Sequence, residues 1–276
     1  MKFGISTIIF WNYEEMDLSN VIKHCAEELK FECVEIHCQN PHFPGWGTSE
    51  GDDLKKEVRD TLSTLNIDVS LHAPYHDLNI ATTNLGVKRE AIRQIKETIE
   101  FAYYIDSNIV VVHPGYVASR KYKVDKVFNS MIDNLKDIVS LAEDLDVNMC
   151  MENNASKPKA IGVHIPELKK ICQSVNSDNF KLTLDVAHAN TTGINPSHFV
   201  DELNELIRHV HISDNTGDNQ HLPIGLGNID FIELFKKLNQ IYKGYIIIEG
   251  WIPHNQDHFV EWDKRQLELV QKSLPL

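Results

Sequence analysis

Eight short apolar runs alternate strictly with segments of helical spacing along the 276 residues of the chain. The runs are rich in β-branched residues and continuously apolar, which is typical of strands buried on both faces. They lie at 3–9, 33–37, 69–72, 109–113, 147–152, 180–185, 207–212 and 245–249. Eight such strand–helix units predict a single (β/α)8 barrel of the TIM type, a fold that takes about 250 residues.

We expect this barrel to occupy residues 1–276 as one domain, because no linker or low-complexity segment interrupts the pattern. The alternative fold is an open doubly wound sheet. That fold is disfavoured because no Gly-x-Gly-x-x-Gly turn follows the first apolar run.

The composition and net charge indicate which partners and which cell compartment to expect. The net charge of −13 gives no support for nucleic-acid binding, although a local basic patch could still provide it. No apolar run reaches the roughly 20 residues that span a bilayer, and no secretory signal pattern is visible. The 5 cysteines are scattered and lack a CxxC pair. These features predict a cytoplasmic protein with free thiols and no membrane partner.

Seven of the eight predicted strands end in, or are followed at once by, a side chain that commonly binds metal ions. The carboxyl ends of all strands in a β/α barrel meet at one face, so these side chains should surround one point. Imidazoles and carboxylates are typical ligands of Zn²⁺, Mn²⁺, Fe²⁺ and Co²⁺. In chain order the candidates are Glu35 with His37, His72, His113, Glu152, Asp185 with His188, His211 with His221, and Glu249.

Taken alone, each of these side chains is adequately explained as a hydrogen-bonded structural histidine or a solvated acid. Glu152, Asp185 and Glu249, however, each follow a strongly apolar strand, and burying an unpaired carboxylate is costly. Several acids and histidines directed at one point would repel or desolvate one another without a cation. The joint pattern therefore predicts a metal site. For Glu35 two interpretations stay open: a residue of this site, or an ordinary buried acid with a partner in the barrel.

Seven short motifs make the chain resemble the xylose-isomerase-like TIM-barrel superfamily. That group contains sugar and sugar-phosphate isomerases and epimerases, and also endonuclease IV, which repairs abasic DNA. The resemblance extends over essentially the whole chain, but it does not choose among these activities. The motifs are LHAPY at 71–75, VHPG at 112–115, MEN at 151–153, LDVAHA at 184–189, HISD at 211–214, HLPIGLGNI at 221–229 and IE at 248–249.

For the isomerase and epimerase branch, the resemblance implies one divalent ion (Zn, Mn or Co) held by Glu152, Asp185, His211 and Glu249. The two glutamates would also lie on opposite faces of the reacting carbon and transfer a proton through a metal-stabilised enediolate. His188 would bind or polarise a substrate hydroxyl. These roles agree with known catalytic chemistry. A Lewis-acidic metal acidifies the C–H bond next to a carbonyl, and positioned carboxylates act as general acid and base.

For the endonuclease branch, the resemblance implies up to three zinc ions. His72 and His113 would join Glu152 at one of them, and two metals can clamp the attacking and leaving oxygens of a phosphoester. Against this branch, the segment after Glu152 lacks the glycine-rich stretch that we associate with the endonuclease.

The third zinc of that branch would use His188, His221 and an aspartate of the loop after the seventh strand. Asn219 stands where the aspartate is expected, and an amide is a weaker, neutral ligand. Asp218, next to it, is the alternative ligand.

Aromatic and basic side chains should lie on the same face of the barrel. Trp11, Tyr75 and Trp251 would either stack on sugar rings or simply cap the barrel. Arg120 and Lys157 would either grip a phosphate, of a sugar phosphate or of a DNA backbone, or be ordinary solvated loop charges.

The sequence therefore predicts a metal-dependent isomerase or epimerase of a small sugar, sugar phosphate or polyol. The alternative is a zinc phosphodiester hydrolase acting at abasic DNA sites, and only that function would make DNA a partner. A non-catalytic sugar- or metal-binding barrel ranks last, because so many desolvated acids are seldom kept without chemistry. Related isomerases are often oligomers, so a homo-oligomer stays open.

Overall fold

The computed structural model describes residues 1–12, 16–39, 41–43, 45–119 and 121–274. Eight strands close into one barrel, in which each strand pairs in parallel with its neighbours in sequence and the last pairs with the first. This arrangement confirms the predicted (β/α)8 fold and excludes the doubly wound sheet. The strands are β1 (Lys2–Ser6), β2 (Cys33–His37), β3 (Asp68–His72), β4 (Ile109–Val112), β5 (Asn148–Glu152), β6 (Phe180–Asp185), β7 (Ile207–Ile212) and β8 (Tyr245–Ile248).

The helices surround the barrel because each has one apolar face to bury. In α4, for example, Met131, Leu135 and Ile138 are fully buried and recur at helical spacing. Pro196 is the first residue of α7, a position that suits proline because its missing N–H has no partner in the first helical turn. The helices are α1 (Leu18–Lys23), α2 (Ser49–Ser63), α3 (Leu85–Tyr104), α4 (Val124–Asp144), α5 (Ile165–Val175), α6 (Val186–Asn190), α7 (Pro196–Leu203), α8 (Phe231–Ile241) and α9 (Gln256–Ser273).

Three local differences separate the structure from the sequence pattern. The first strand ends at Ser6 and the chain continues as a 3-10 helix, Thr7–Phe10, with the Ser6 hydroxyl at its start. The helical segment after the first strand changes from α geometry at Leu18–Lys23 to π geometry at His24–Glu28. The short helix α6 follows β6 at once and was not predicted. Asp185 caps it by accepting the His188 N–H at 2.6 Å.

Side chains fill the inside of the barrel, so it is a packed core and not a pore. A Cβ atom at Gly4 would lie 2.5 Å from Cδ1 of Ile247 and 3.0 Å from Cβ of Cys33, which leaves room only for glycine. All five cysteines are free and buried. Among the described residues, none of the helices combines the length and apolar character needed to cross a bilayer.

Alternate residues along a strand face the same side, so each inward-facing side chain is followed two residues later by another. Glu35, Ser70 and His209 form part of one buried layer, which we call the inner layer. His37, His72 and His211 follow them by two residues on the same strands. They lie one layer closer to the carboxyl ends of the strands.

Candidate metal centre

Seven side chains from β2 to β8, or from the residue that follows a strand, converge at the carboxyl ends of the barrel strands. Parallel pairing fixes their heights, since His37 is opposite His72 and Asp185 is opposite His211. All are buried except His113, which is partly exposed. We call them the upper ring: His37, His72, His113, Glu152, Asp185, His211 and Glu249.

Within the upper ring, the Nδ1 atom of His211 lies close to two carboxylate groups. It lies 3.2 Å from Oε2 of Glu249 and 3.4 Å from Oε2 of Glu152. Glu152, Asp185 and His211 each present one ligand atom, and these atoms lie within 4.8 Å of one another. Tetrahedral zinc with bonds of about 2.0–2.1 Å places neighbouring ligand atoms about 3.3 Å apart. The distances from His211 to the two glutamates are close to this value. We call Glu152, Asp185, His211 and Glu249 the central group.

Two unpartnered polar atoms show that the central group fits a cation. Oδ2 of Asp185 and Nδ1 of His211 are buried, and neither has a hydrogen-bond partner among the described residues. The same is true of Nε2 of His211 and Oε1 of Glu35. A buried carboxylate oxygen without a partner is costly unless a proton or a cation accompanies it. The donor set of two glutamates, one aspartate and one imidazole suits Zn²⁺, Mn²⁺ or Co²⁺.

Charge coupling within the central group is strong. Burial alone would raise the pKa of the Glu152 and Glu249 carboxyls, but His211 and neighbouring imidazoles hold both pKa values well below their usual range. Burial would lower the pKa of His211, yet Glu249, Glu35 and Glu152 raise it well above the ordinary value. Burial raises the pKa of Asp185, opposed by nearby histidines. Excess negative charge therefore surrounds one imidazole.

A second possible ligand group shares Glu152. Nε2 of His72 and Nε2 of His113 each lie 3.3 Å from Oε2 of Glu152. These three side chains form one of the groups able to hold a metal ion. The ring of Tyr75 stacks on His113 with centroids 4.2 Å apart, which fixes the imidazole plane.

A third group consists of Asp185, His188 and His221. Nδ1 of His188 lies 3.0 Å from Oε1 of Glu152, and His188 has a pKa raised to about 9, because Asp185 and Glu152 outweigh the lowering effect of burial. Asn219 is exposed, and it lines the cavity that opens above the upper ring. Asp218, the alternative to Asn219, is exposed and is not part of any ligand group of the described residues.

Glu35 of the inner layer contacts the central group from the side that faces the amino ends of the strands. Oε1 of Glu35 lies 2.9 Å from Nε2 of His211, and Oε2 lies 2.8 Å from Nε2 of His209. The Ser70 hydroxyl donates to Oε2 at 3.0 Å. Glu35 thus has His209 and Ser70 as partners inside the barrel, and it also contacts the candidate ligand His211. Each of the two interpretations left open by the sequence, a buried acid with a partner and a residue of the site, matches one of these contacts.

The sequence pattern named His37 as a candidate beside Glu35 without giving it a specific role, and it did not single out His209. His37 lies 3.3 Å from Oε1 of Glu249 and stacks on His72 with ring centroids 4.2 Å apart. A signal for both was available, because His37 is two residues after Glu35 and His209 is two residues before His211. On a strand that spacing places the side chains on the same face.

A cavity of about 990 Å³ opens above the upper ring. Trp11, Tyr75, Lys157 and Trp251 line it, as the sequence predicted. Trp251 is 43% exposed, whereas Trp11 packs edge-on against His37. Lys157 is exposed, so the structure allows both the phosphate grip and the solvated charge. The further prediction, Arg120, lies outside the described residues.

Comparison with known proteins identifies the family. The family described as xylose isomerase-like TIM barrel matches residues 24–272. The chain belongs to this family. An uncharacterised protein of Methanocaldococcus jannaschii is 34% identical over 280 residues, which cover 99% of this chain and 92% of that protein. A solved structure of a D-tagatose 3-epimerase-like protein is 33% identical, with a TM-score of 0.86 and coverage of 100% of both chains.

The chain is also similar to proteins named as probable endonucleases. A probable endonuclease 4 of Malacoplasma penetrans is 26% identical over 199 residues, covering 67% of this chain and 68% of that protein. The similarity to the epimerase-like structure extends over the whole chain, whereas that to the endonuclease covers about two thirds of it.

Proposed function

We propose that this chain is a divalent-metal-dependent epimerase or isomerase of a small sugar, sugar phosphate or polyol. The observation that carries the proposal is the central group, in which Glu152 and Glu249 lie 3.4 Å and 3.2 Å from the same nitrogen of His211. Two carboxylates beside one ligand position can serve both as ligands and as acid–base groups. Full-length similarity to a D-tagatose 3-epimerase-like protein supports sugar chemistry.

In this proposal Glu152, Asp185, His211 and Glu249 hold one ion of Zn²⁺, Mn²⁺ or Co²⁺. When bound, the ion supplies Lewis-acid polarisation of the carbonyl and hydroxyl oxygens of the sugar. The four side chains are buried, so water is largely excluded from the point where charge develops.

The two glutamates move the proton. One takes the proton from the carbon next to the carbonyl, and the C–H electron pair shifts so that the carbonyl oxygen gains negative charge. The other glutamate, in its acid form, returns a proton to the opposite face of the same carbon, which gives the epimer. In isomerisation the proton goes instead to the former carbonyl carbon, and the proton of the adjacent hydroxyl moves to the former carbonyl oxygen. These proton transfers are redox-neutral and need no co-reactant. His188, 3.0 Å from Oε1 of Glu152, holds a substrate hydroxyl during the transfer.

Substrate enters through the cavity above the upper ring. Its volume of about 990 Å³ accommodates a sugar with room to spare. Trp11, Tyr75 and Trp251 provide rings that stack on the apolar faces of the sugar. Lys157 is the group placed to meet a phosphate if the substrate carries one.

The test is conversion of a panel of ketoses and their phosphates in D₂O by protein loaded with each metal in turn. Wild type should incorporate deuterium at the inverted carbon, and Glu152→Gln and Glu249→Gln should each lower turnover by about 10³-fold or more while staying folded. Glu100→Gln, on the exposed side of α3, is the matched control and should keep wild-type turnover. Turnover near wild type in both site variants would contradict the proposal.

The second candidate is a zinc phosphodiester hydrolase that acts at abasic DNA sites. It is favoured by His72 and His113, both 3.3 Å from Oε2 of Glu152, because that arrangement suits a second ion bridged by the carboxylate. Two or more zinc ions per chain together with nicking of abasic duplex DNA would establish it. One ion per chain and intact DNA would reject it.

A further inference from the structure

Glu35 lies in the inner layer, at the middle of β2, and is completely buried. One of its carboxylate oxygens is 2.8 Å from His209 and accepts the Ser70 hydroxyl at 3.0 Å. The other lies 2.9 Å from Nε2 of His211, an ion-pair distance. Neither of these two buried atoms makes a hydrogen bond to any described residue. Because β2 and β7 are not neighbours in the barrel, Glu35 connects His211 to the far wall.

The distances separate two kinds of contact. Glu35 approaches the imidazoles of His209 and His211 to 2.8 and 2.9 Å, the separation of close charge-assisted contacts. The atoms of the central group stand 3.2–3.4 Å apart, the spacing of ligands around an ion. Glu35 also belongs to two groups able to hold a metal ion, one with His209 and His211 and one with His37 and Glu249. We assign it to the support of the ion site because its contacts to His209 and His211 are shorter than those of His211 to Glu152 and Glu249.

The two nitrogens of His211 face different groups. Nε2 faces Glu35, whereas Nδ1 faces Glu152 and Glu249. An imidazole whose Nε2–H is held by a carboxylate keeps its Nδ1 lone pair free for a metal, and its ring plane is fixed. The fully buried ring cannot find this partner in water.

We propose that Glu35 is a positioning residue that acts through His211: it holds the Nε2 proton and presents Nδ1 to the divalent ion. His209, 2.8 Å away, in turn holds the second Glu35 oxygen, so the carboxylate cannot rotate away. The inference rests on the proposed function, because it assumes that the central group binds an ion.

The test measures metal affinity and not only activity. Co²⁺ and Mn²⁺ are titrated into metal-free wild type, Glu35→Gln and Ser70→Ala, with the dissociation constant, the visible absorption of bound Co²⁺ and the melting temperature of the metal-free protein recorded. Glu35→Gln should weaken binding by about 10–100-fold and change the cobalt spectrum. Ser70→Ala alters the same layer but leaves the Glu35–His211 contact, so its affinity should stay within about twofold of wild type.

A folded Glu35→Gln protein with wild-type affinity and an unchanged cobalt spectrum would overturn the inference and leave the proposed function standing. Should Glu35→Gln not fold, the double variant Glu35→Met/His209→Leu replaces the buried polar pair by apolar side chains of similar size. It must lose affinity in the same way, and retention of tight binding would overturn the inference. Wild type that binds neither metal would overturn the proposed function and the inference together.

Discussion

Nε2 of His72 lies 3.3 Å from Oε2 of Glu152, although their strands β3 and β5 do not pair. The same Glu152 oxygen also lies 3.4 Å from Nδ1 of His211. It could therefore bridge one ion held with His211 and a second ion held with His72. Under the proposed function His72 and His113 contact the sugar and not an ion. The variant His72→Gln/His113→Gln should therefore keep its metal content and raise the KM for sugar by about tenfold, the loss of roughly 1.4 kcal/mol of hydrogen bonding. A fall in metal content would assign both histidines to a second ion.

Asp263 on α9 makes stability depend on pH. Its side chain is 1% exposed and accepts the Ile224 N–H at 2.7 Å, and burial raises its pKa to about 7. The folded state therefore binds a proton that the unfolded chain, with a pKa of about 3.9, has released. The free energy of unfolding should fall by about 4 kcal/mol as pH rises from about 4 to 7, and then level off.

Urea unfolding of wild type and Asp263→Asn at pH 5 and pH 7.5 measures this contribution. The variant cannot titrate at this position, so its stability should change less between the two pH values. Equal pH dependence in the two proteins would show that Asp263 is ionised in the folded state across this range.

Asp214 fixes the loop that carries His221. Its buried carboxylate accepts the N–H groups of Gly225 and Gly227 at 2.9 Å each, and those of Asn215 at 2.9 Å and Ile229 at 3.3 Å. Asp214→Ala leaves these donors without an acceptor and should destabilise the fold by about 3 kcal/mol. Asp218→Ala, exposed in the same loop, should have little effect.

Denaturant unfolding together with amide hydrogen exchange at Gly225 and Gly227 checks this role of Asp214. Faster exchange confined to these amides, with wild-type protection in the barrel strands, is the expected result for Asp214→Asn, which removes the charge but keeps one acceptor oxygen. Unchanged exchange in both variants would mean that other contacts hold the loop.

Lys157 distinguishes phosphorylated from unphosphorylated substrates. Its ammonium group is exposed at the edge of the cavity and is therefore screened by solvent. If it grips a phosphate, Lys157→Ala should raise the KM of a sugar phosphate by about tenfold and leave that of the free sugar unchanged. Lys126→Ala on the exposed side of α4 serves as the control. Equal KM values for wild type and Lys157→Ala with both substrates would make Lys157 a solvated charge.

The fold and the upper ring could be predicted from the sequence because both follow from local patterns. Continuous apolar runs such as 109–112 identify buried strands, and Glu152 or Asp185 at a strand end falls on the catalytic face of any β/α barrel. The short helix α6 escaped prediction because its five residues show too little periodicity to be recognised.

The inner layer and the ligand distances could not be predicted in the same way. Glu35 meets His211 only because strand tilt and the stagger of the closed barrel bring β2 and β7 to the same depth, and neither quantity is encoded near either residue. The spacing of two residues predicts that His209 and His211 share a face. It does not say which of them reaches the central group.

The most direct test of the proposed metal site is elemental analysis of protein purified without chelator or nickel affinity resin. The account predicts about one divalent ion per chain in wild type, with Mn, Co or Zn as the metal, and almost none in Asp185→Asn. Wild-type protein that retains no divalent ion, even after loading with each of these metals, would contradict it.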